Sequence, residues 1–153
     1  IQYALPGVPA TYVHSLLGSR NWHAGLAQTG RARTINRENL DADRLAAELR
    51  NPASLRSRVF GPYTRMIRTR TRQPAFHPNA GFEILDLGPR VFGIKRTADA
   101  QTLWAVTNIT PQQVGIDLTA SGAAGNKKDL ISGAAVEASS IALRPYQFMW
   151  LSN

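Results

Sequence analysis

The spacing of hydrophobic and polar positions changes near Gln73-Pro74. Before this point the pattern predicts one short strand, a long polar loop and two helices. Beyond it the pattern predicts strands alone. A change from helical to strand-like periodicity is typical of two structural units. We therefore divide the chain into residues 1–75 and residues 76–153.

The segment Val8–Ser15 predicts the one strand of the first part. It is almost fully apolar, which is typical of a strand buried on both faces in a parallel sheet. Pro9 lies near its first residue, where proline is tolerated. A parallel strand needs neighbours joined to it by helical crossovers, and none precedes this one. We therefore expect the chain, which starts at Ile1 without methionine, to be a fragment of a longer protein.

Two helices follow the polar loop Gly18–Asn39. A short helix is predicted at Asp41–Arg50. It should end at Asn51-Pro52, because the helical backbone conformation is unfavourable for a residue that precedes proline. Ser54–Arg72 predicts a longer helix, in which Gly61-Pro62 should introduce a kink. Spacings of three and four predict one buried stripe on that helix, formed by Leu55, Val59, Tyr63, Met66 and Ile67.

Short strands alternate with turns from Gly81 onwards. Such spacing predicts an antiparallel β-sandwich. The predicted strands are Phe82–Leu87, Val91–Arg96, Thr102–Asn108, Val114–Leu118, Asp129–Ile131, Ala135–Glu137, Ile141–Leu143 and Gln147–Leu151. Asn108-Ile109-Thr110 matches the glycosylation acceptor pattern, but its position predicts the end of a strand.

Charge adds a candidate partner class without deciding the function. The net charge is +8, and twelve of the fifteen arginines lie between Arg20 and Arg72. A basic excess raises nucleic acid or an anionic surface as a partner. No apolar run approaches the roughly 20 residues of a membrane-spanning helix. The absence of cysteine fits a reducing compartment, and we expect a cytoplasmic protein with no disulfide.

Few side chains are spaced for catalysis. The histidines are scattered, so no metal site is predicted, and no motif for a phosphate or dinucleotide cofactor is present. Glu38, Asp41, Asp43 and Glu48 could supply a carboxylate pair. Asp41 and Asp43 fall in the first turn of a helix, where a negative charge complements the macrodipole. Their structural role is therefore the favoured interpretation.

The arginines of the polar loop are the strongest candidates for ligand binding: Arg20, Arg31, Arg33 and Arg37, accompanied by Asn21, Trp22 and Asn36. A guanidinium suits phosphate, carboxylate and neighbouring hydroxyls. Three interpretations compete: a solvated basic loop, a nucleic-acid contact, and the lining of a polar ligand site. The third is favoured, because loops that follow parallel strands build the active sites of α/β barrels.

Four stretches resemble the sucrose phosphorylase branch of the α-amylase superfamily. GVPATYVHSLLGSRN (7–21) resembles the last barrel strand and its continuation, and TGRARTINREN (29–39) resembles a substrate loop. VFGPYTRMIRTRTRQPAFHPNAG (59–81) is similar to the final barrel helix and linker, and RPYQFMWLSN (144–153) to the last strand of the C-terminal domain. The resemblance implies an α+β fragment: the last β-strand and helices of a (β/α)8 TIM barrel, followed by an antiparallel β-sandwich domain.

The resemblance also implies a function and site residues. The family transfers an α-glucosyl unit with retention, through carboxylates on its fourth, fifth and seventh strands, so this chain contains none of the catalytic residues. Arg33 matches the arginine that pairs with an upstream Asp at the closed end of the glucosyl pocket. Arg20 and Asn21 would lie near the site entrance. Trp22 stands where much of the family has an acidic residue, so the acceptor is left open.

The leading hypothesis is therefore the C-terminal part of an α-glucoside phosphorylase, which uses a sucrose-like α-glucoside and inorganic phosphate. Its partner would be the N-terminal barrel portion, with neither nucleic acid nor membrane involved, and the fragment alone should be inactive. The alternative is a stand-alone β-sandwich module that binds carbohydrate or another protein. A third hypothesis, a basic nucleic-acid binder, predicts binding that weakens steeply with salt.

Overall fold

The computed structural model describes residues 1–153 as two compact units. One contains Ile1–Pro9 and Arg68–Asn153, and the other contains Ala10–Ile67. The α-helices are α1 Val13–Leu16, α2 His23–Thr29, α3 Ala42–Arg50 and α4 Leu55–Thr71. The strands are β1 Gly81–Leu85, β2 Val91–Ala98, β3 Gln101–Asn108, β4 Val114–Ile116, β5 Asn126–Asp129, β6 Ala135–Glu137, β7 Ile141–Leu143 and β8 Phe148–Ser152.

The strands form an antiparallel sandwich, which confirms the predicted fold class of the second half. A six-stranded sheet has the order β1-β2-β3-β8-β5-β6, and a two-stranded sheet pairs β4 with β7. The β2–β3 hairpin closes between Ala98 and Gln101, and Asp99 adopts a φ of 52° in this turn. Aspartate tolerates the left-handed region better than most residues, which suits it to such a turn.

Alternation along the central strands separates two faces of the large sheet. Trp104 of β3 and Leu151 of β8 are paired and point to the inner face, where they pack against Leu143 of the small sheet. Their neighbours Ala105 and Trp150 are also paired and are buried on the opposite face. Strands β3 and β8 are therefore covered on both sides, as their continuous apolar sequences require.

Two arginines fasten the N-terminal segment to the outer face of this sheet. The Arg96 guanidinium is fully buried and donates to the carbonyls of Ala4 (3.3 Å) and His77 (2.9 Å). Arg70 donates to the carbonyls of Tyr3 (3.0 Å), Gly7 (3.1 Å) and Phe76 (3.1 Å). Burial, and secondly the charge of Arg70, lowers the pKa of Arg96 from its ordinary value. The segment Ile1–Pro9 thus belongs to the sandwich unit through its backbone.

Asn108 closes the end of β3 with its side chain. Its amide nitrogen donates to the carbonyls of Gln112 (2.6 Å), Leu143 (3.3 Å) and Arg144 (2.9 Å), and its oxygen accepts from the Thr110 backbone (3.0 Å). Asn108 is 1% exposed. The sequence-based prediction of a strand end is confirmed, and the asparagine of the glycosylation pattern is buried.

The unit Ala10–Ile67 has little buried core. Its buried residues are Leu17 and Gly25. The helices α3 and α4 contain no fully buried side chain. Helix α3 begins after Asp41, whose carboxylate accepts from the backbone of Arg44 at 2.8 Å. This N-cap confirms the structural role predicted for Asp41. No helix of the chain is long and apolar enough to cross a bilayer.

The predicted strand Val8–Ser15 is wrong in this structure. Val13–Leu16 form the short helix α1, and Pro9 to Tyr12 pair with no strand. The side chains of Val8 and Val13 are 83% and 52% exposed. A strand requires neighbours that satisfy its backbone groups. Because no parallel neighbour is present, the segment closes a helical turn instead.

The remaining elements differ from their predictions mainly at their ends. The two longer helices are confirmed, but the polar loop 18–39 contains α2 and a 3-10 helix, Ala32–Asn36. Strand β5 ends at Asp129, where a strand was predicted to begin. Residues 1–9 and 68–75 lie with the sandwich unit, on the other side of the division drawn from the sequence. The assignment of residues 1–75 to a barrel stays a prediction.

Candidate functional site

Arg33 lies in the 3-10 helix Ala32–Asn36 and is exposed. It lines a shallow concave surface together with Tyr12, Asn36 and Arg37. The Tyr12 hydroxyl donates to the carbonyl of Asn36 at 2.7 Å, which connects the start of the unit to this helix. The surface therefore combines two guanidinium groups with an aromatic ring, and it is open to a ligand.

Arg20 and Asn21 follow a tight turn after α1. Gly18 has a φ of 61°, and a Cβ atom at this position would lie 2.9 Å from Cγ2 of Val59. Glycine is therefore required both for the backbone conformation and for the close approach of α4. The turn places the exposed side chains of Arg20 and Asn21 beside Trp22 on a second concave surface.

Arg56 of α4 holds this turn in place. Its Nη1 donates to the Ser19 hydroxyl at 2.8 Å and to the Leu17 carbonyl at 3.3 Å. Its Nε donates to Glu48 of α3 at 2.5 Å, and its Nη2 lies 3.8 Å from a Glu38 oxygen. One planar guanidinium thereby joins the turn, helix α3 and the segment that precedes α3.

Glu48 is the second centre of the same network. Besides Arg56 it accepts from Nε of Arg44 at 3.0 Å. The hydrogen bond from Arg44, followed by that from Arg56, lowers the pKa of the Glu48 carboxyl from its ordinary value. The carboxylate is therefore ionised at neutral pH and neutralises part of the positive charge around the turn.

Acid should weaken the hydrogen bonds that Glu48 accepts from Arg44 and Arg56. A carboxyl whose pKa is lower in the folded state contributes stability above its unfolded pKa, and the contribution is lost as the pH falls through the folded value. We expect Glu48→Gln to destabilise the chain at pH 7, and the difference from the unaltered chain to vanish in acid, once the pH has fallen below the lowered pKa of Glu48. Urea unfolding of both chains across this range measures the difference. A difference that is constant with pH would contradict the assignment.

Trp22 packs on a glycine. Its backbone N–H donates to the Ile35 carbonyl at 2.5 Å, and its half-buried indole covers Gly25 of α2. A Cβ atom at residue 25 would overlap Cε3 of the Trp22 ring. No side chain other than hydrogen fits at residue 25 while the indole keeps its place.

Gly25→Ala should therefore displace Trp22 although alanine favours a helix. We expect a loss of about 1–3 kcal/mol from overpacking, larger than the gain of about 1 kcal/mol from helix propensity. Gly30→Ala serves as a control for removal of a glycine, because a Cβ there contacts nothing within 4 Å, although its φ of 63° adds backbone strain. The Trp22 indole resonance in an NMR spectrum should shift in Gly25→Ala alone. An unmoved resonance with gained stability would contradict this packing.

The structure brings some predicted site residues together and separates another. Arg20, Asn21 and Trp22 share the second concave surface with Arg44, Arg56, Glu38 and Glu48. Arg33 lies on the first surface and does not line the second. Glu38 and Glu48 were among the candidate carboxylates predicted from the sequence, whereas Arg56 was missed. The helical spacing gave no signal for a contact between Arg56 and a turn 37 residues earlier.

His14 has a polar partner in the turn that follows α1. Its Nδ1 lies 3.0 Å from the Ser19 hydroxyl, which also accepts from Arg56. The ring is half-buried and lies 5.4 Å from the Tyr12 ring. His14 therefore extends the hydrogen-bonded network from α4 to α1.

Curated proteins similar to this chain are glucosylglycerate phosphorylases. That of Escherichia coli (strain K12) is 35% identical over 152 residues, which are 99% of this chain and 26% of that protein. That of Spirochaeta thermophila is 45% identical over 101 residues, which are 65% of this chain and 17% of that protein. This chain thus spans about a quarter or less of the relatives it matches. A scan of protein-family models finds no match.

Solved structures of the α-amylase family share the fold. The trehalulose synthase of Pseudomonas mesoacidophila MX-45 superposes with a TM-score of 0.53 and 24% identity, over 71% of this chain and 19% of that protein. An Anoxybacillus α-amylase superposes with a TM-score of 0.58 and 18% identity, over 77% of this chain and 25% of that protein. At such identities the likeness concerns the fold alone.

Proposed function

We propose that this chain, which is similar over nearly its whole length to a sugar phosphorylase and shares its fold with enzymes of the α-amylase family, is the C-terminal part of an enzyme that phosphorolyses an α-glucoside. The observation that carries the proposal is the match to a phosphorylase over 99% of the chain at 35% identity. The remaining three quarters of such an enzyme would hold the catalytic carboxylates. A cytoplasmic location is part of the proposal.

The proposed reaction retains the configuration at the anomeric carbon. In the family that the chain resembles, an Asp carboxylate attacks this carbon while a Glu donates its proton to the leaving glycosidic oxygen. The glycosidic bond breaks, and a covalent glucosyl-enzyme forms. Inorganic phosphate then attacks the same carbon, the bond from this carbon to the Asp carboxylate breaks, and the phosphate proton passes to the Glu, so that glucose 1-phosphate is released. Both carboxylates would come from the polypeptide outside this chain.

The chain itself would bind and orient the substrates. Arg33 would pair with an Asp at the closed end of the glucosyl pocket, and its exposure on a concave surface leaves the guanidinium free to do so. Arg20 and Asn21 would lie on the side of the leaving group. A guanidinium fixed by one carboxylate can donate its other N–H groups to sugar hydroxyls.

Incomplete packing of the unit Ala10–Ile67 supports an enzyme part over a free-standing module. Tyr12, Val13 and Leu55 are 46%, 52% and 43% exposed, and few side chains of this unit are buried. We propose that further polypeptide of the enzyme covers these side chains. Within the sandwich, Trp104 and Trp150 are 2% and 3% exposed, so they serve the core and form no platform for a carbohydrate.

The proposal is tested with the full-length protein that carries this sequence. It is incubated with phosphate and, separately, with glucosylglycerate, sucrose and an α-glucosylglycerol. Proton NMR of the product should show glucose 1-phosphate of the α configuration, formed in proportion to phosphate consumed. Release of free glucose at a rate independent of phosphate would show that the enzyme hydrolyses the α-glucoside, and it would contradict phosphorolysis. A β product would contradict retention.

A further inference from the structure

Strand β1 is an uncovered edge on the outer face of the large sheet. The register pairs Phe82 with Arg96 and Ile84 with Ile94, so these four side chains lie on the same face. Arg96 and Ile94 are fully buried, whereas Phe82 and Ile84 are each 57% exposed. The layer that covers this face therefore ends at β2. It leaves two large apolar side chains of an edge strand in contact with solvent, a pattern that invites another polypeptide to pack there.

The covering layer carries two arginines. The segment Ile1–Pro9 is part of this layer and accepts hydrogen bonds from Arg96 and Arg70 through its backbone carbonyls. Phe76 belongs to the same layer, and its ring packs edge-on against Trp150 with the ring centroids 4.7 Å apart. The Arg70 guanidinium lies over the Phe76 ring, 5.4 Å from its centroid. Both arginines are therefore built into the layer that stops beside β1.

The two guanidinium groups have no carboxylate partner. Neither Arg70 nor Arg96 belongs to any of the ion pairs of the chain. The buried Nε of Arg96 donates to no acceptor. Burial lowers the pKa of both side chains, and the charge of Arg70 also lowers the pKa of Arg96. Since buried cations in proteins are ordinarily paired with an anion, this face lacks a carboxylate.

Charge and chain length favour one occupant over another. A second copy of this chain would bring the same two arginines against themselves, and like charges would repel. Polypeptide from outside this chain can supply both a carboxylate and apolar side chains. The chain spans 26% of the Escherichia coli relative, and the covering layer starts at Ile1. In the proposed enzyme, the residues before Ile1 would leave from this layer.

We propose that a segment of the polypeptide before Ile1 packs on this surface, with apolar side chains against Phe82 and Ile84 and an aspartate or glutamate paired with Arg70. Arg70 receives the carboxylate because it is partly exposed, whereas Arg96 is fully buried. The inference rests on the proposed function in one respect, that the chain is part of a longer enzyme. It adds the face of the sandwich unit that is covered and the chemistry of the segment that covers it.

Thiol labelling tests the apolar contact, because the chain contains no cysteine. Phe82→Cys and Ile84→Cys are introduced separately into the full-length protein and into the 153-residue chain, and peptide mass spectrometry quantifies the labelled site. Both thiols should react with a maleimide at least about tenfold more slowly in the full-length protein, since a covered site must open before it reacts. Ile109→Cys, at an exposed site after β3, is the control and should react at similar rates in both.

Carbodiimide cross-linking tests the charge contact. In the full-length protein, Arg70→Lys keeps the positive charge and provides an amine. Carbodiimide should join this amine to an aspartate or glutamate before Ile1, and peptide mass spectrometry identifies the product. Arg72→Lys, at an exposed site two residues further along the chain, is the matched control and should give little of this product.

The outcomes separate this inference from the proposed function. Equal labelling of Phe82→Cys and Ile84→Cys in the two proteins, or no cross-link from Arg70→Lys to the residues before Ile1, overturns the inference. Protection in the isolated chain that increases with its concentration assigns the surface to a second copy and also overturns it. Glucose 1-phosphate is assayed on the same full-length protein. Phosphorolysis without protection overturns the packing alone, and protection without phosphorolysis overturns the proposed function alone.

Discussion

Arg96→Ala is expected to destabilise the sandwich unit by about 3–5 kcal/mol. The side chain is fully buried, so its removal leaves a cavity. The buried carbonyl of Ala4 and the partly buried carbonyl of His77 would both lose their donor. Urea unfolding followed by near-UV circular dichroism, to which the buried Trp104 and Trp150 contribute, measures the loss.

Arg96→Met separates the two causes of this loss. Methionine keeps most of the volume and removes a buried charge that has no carboxylate partner, so its cost should be smaller, about 1–3 kcal/mol. In both variants the segment Ile1–Pro9 should become more sensitive to protease, because the hydrogen bond from Arg96 to the Ala4 carbonyl is lost. A free energy of unfolding for Arg96→Ala within about 0.5 kcal/mol of the unaltered chain would contradict the anchoring role.

Arg33→Ala should lower kcat/KM of the full-length enzyme by about 100- to 1,000-fold. The proposed pairing with an upstream carboxylate at the closed end of the glucosyl pocket would be lost, and that buried charge would stay uncompensated. The effect should fall on every α-glucosyl donor alike, since all share the glucosyl unit. Initial rates with glucosylglycerate and with glucosylglycerol measure it.

Two further variants test whether Arg33, and no other arginine, pairs with the upstream Asp of the glucosyl pocket. Arg31→Ala alters the neighbouring exposed guanidinium, which does not line the concave surface of Arg33. Arg65→Ala alters an exposed arginine of α4 and serves as the control for charge alone. A large loss in Arg31→Ala with an active Arg33→Ala would move the assignment to residue 31.

Local patterns were sufficient for the sandwich half of the chain. Ala135–Glu137 and Ile141–Leu143 have the predicted bounds, because alternation and glycine turns act over a few residues. Helix α3 was predicted for a similar reason, since Asp41 caps it and Asn51-Pro52 ends it. These signals depend only on residues that are close in sequence, and this chain contains those residues.

Contacts between distant residues account for what the sequence analysis missed. Val8–Ser15 has the composition of a buried strand, but that conformation needs neighbouring strands that this chain does not supply. Arg56 and Arg70 bind backbone carbonyls 39 and 67 residues away, and neither has a local pattern that distinguishes it from a solvated arginine. The arginine loop was recognised as a candidate site, yet its division into two surfaces depends on the fold.

Phosphate-dependent cleavage of glucosylglycerate by two polypeptides tests the central claim most directly. One is the 153-residue chain alone, and the other is the full-length protein that carries it, both assayed for glucose 1-phosphate under the same conditions. The account predicts product from the full-length protein and none from the chain alone. Turnover by the isolated chain, or no glucose 1-phosphate from the full-length protein, would contradict it.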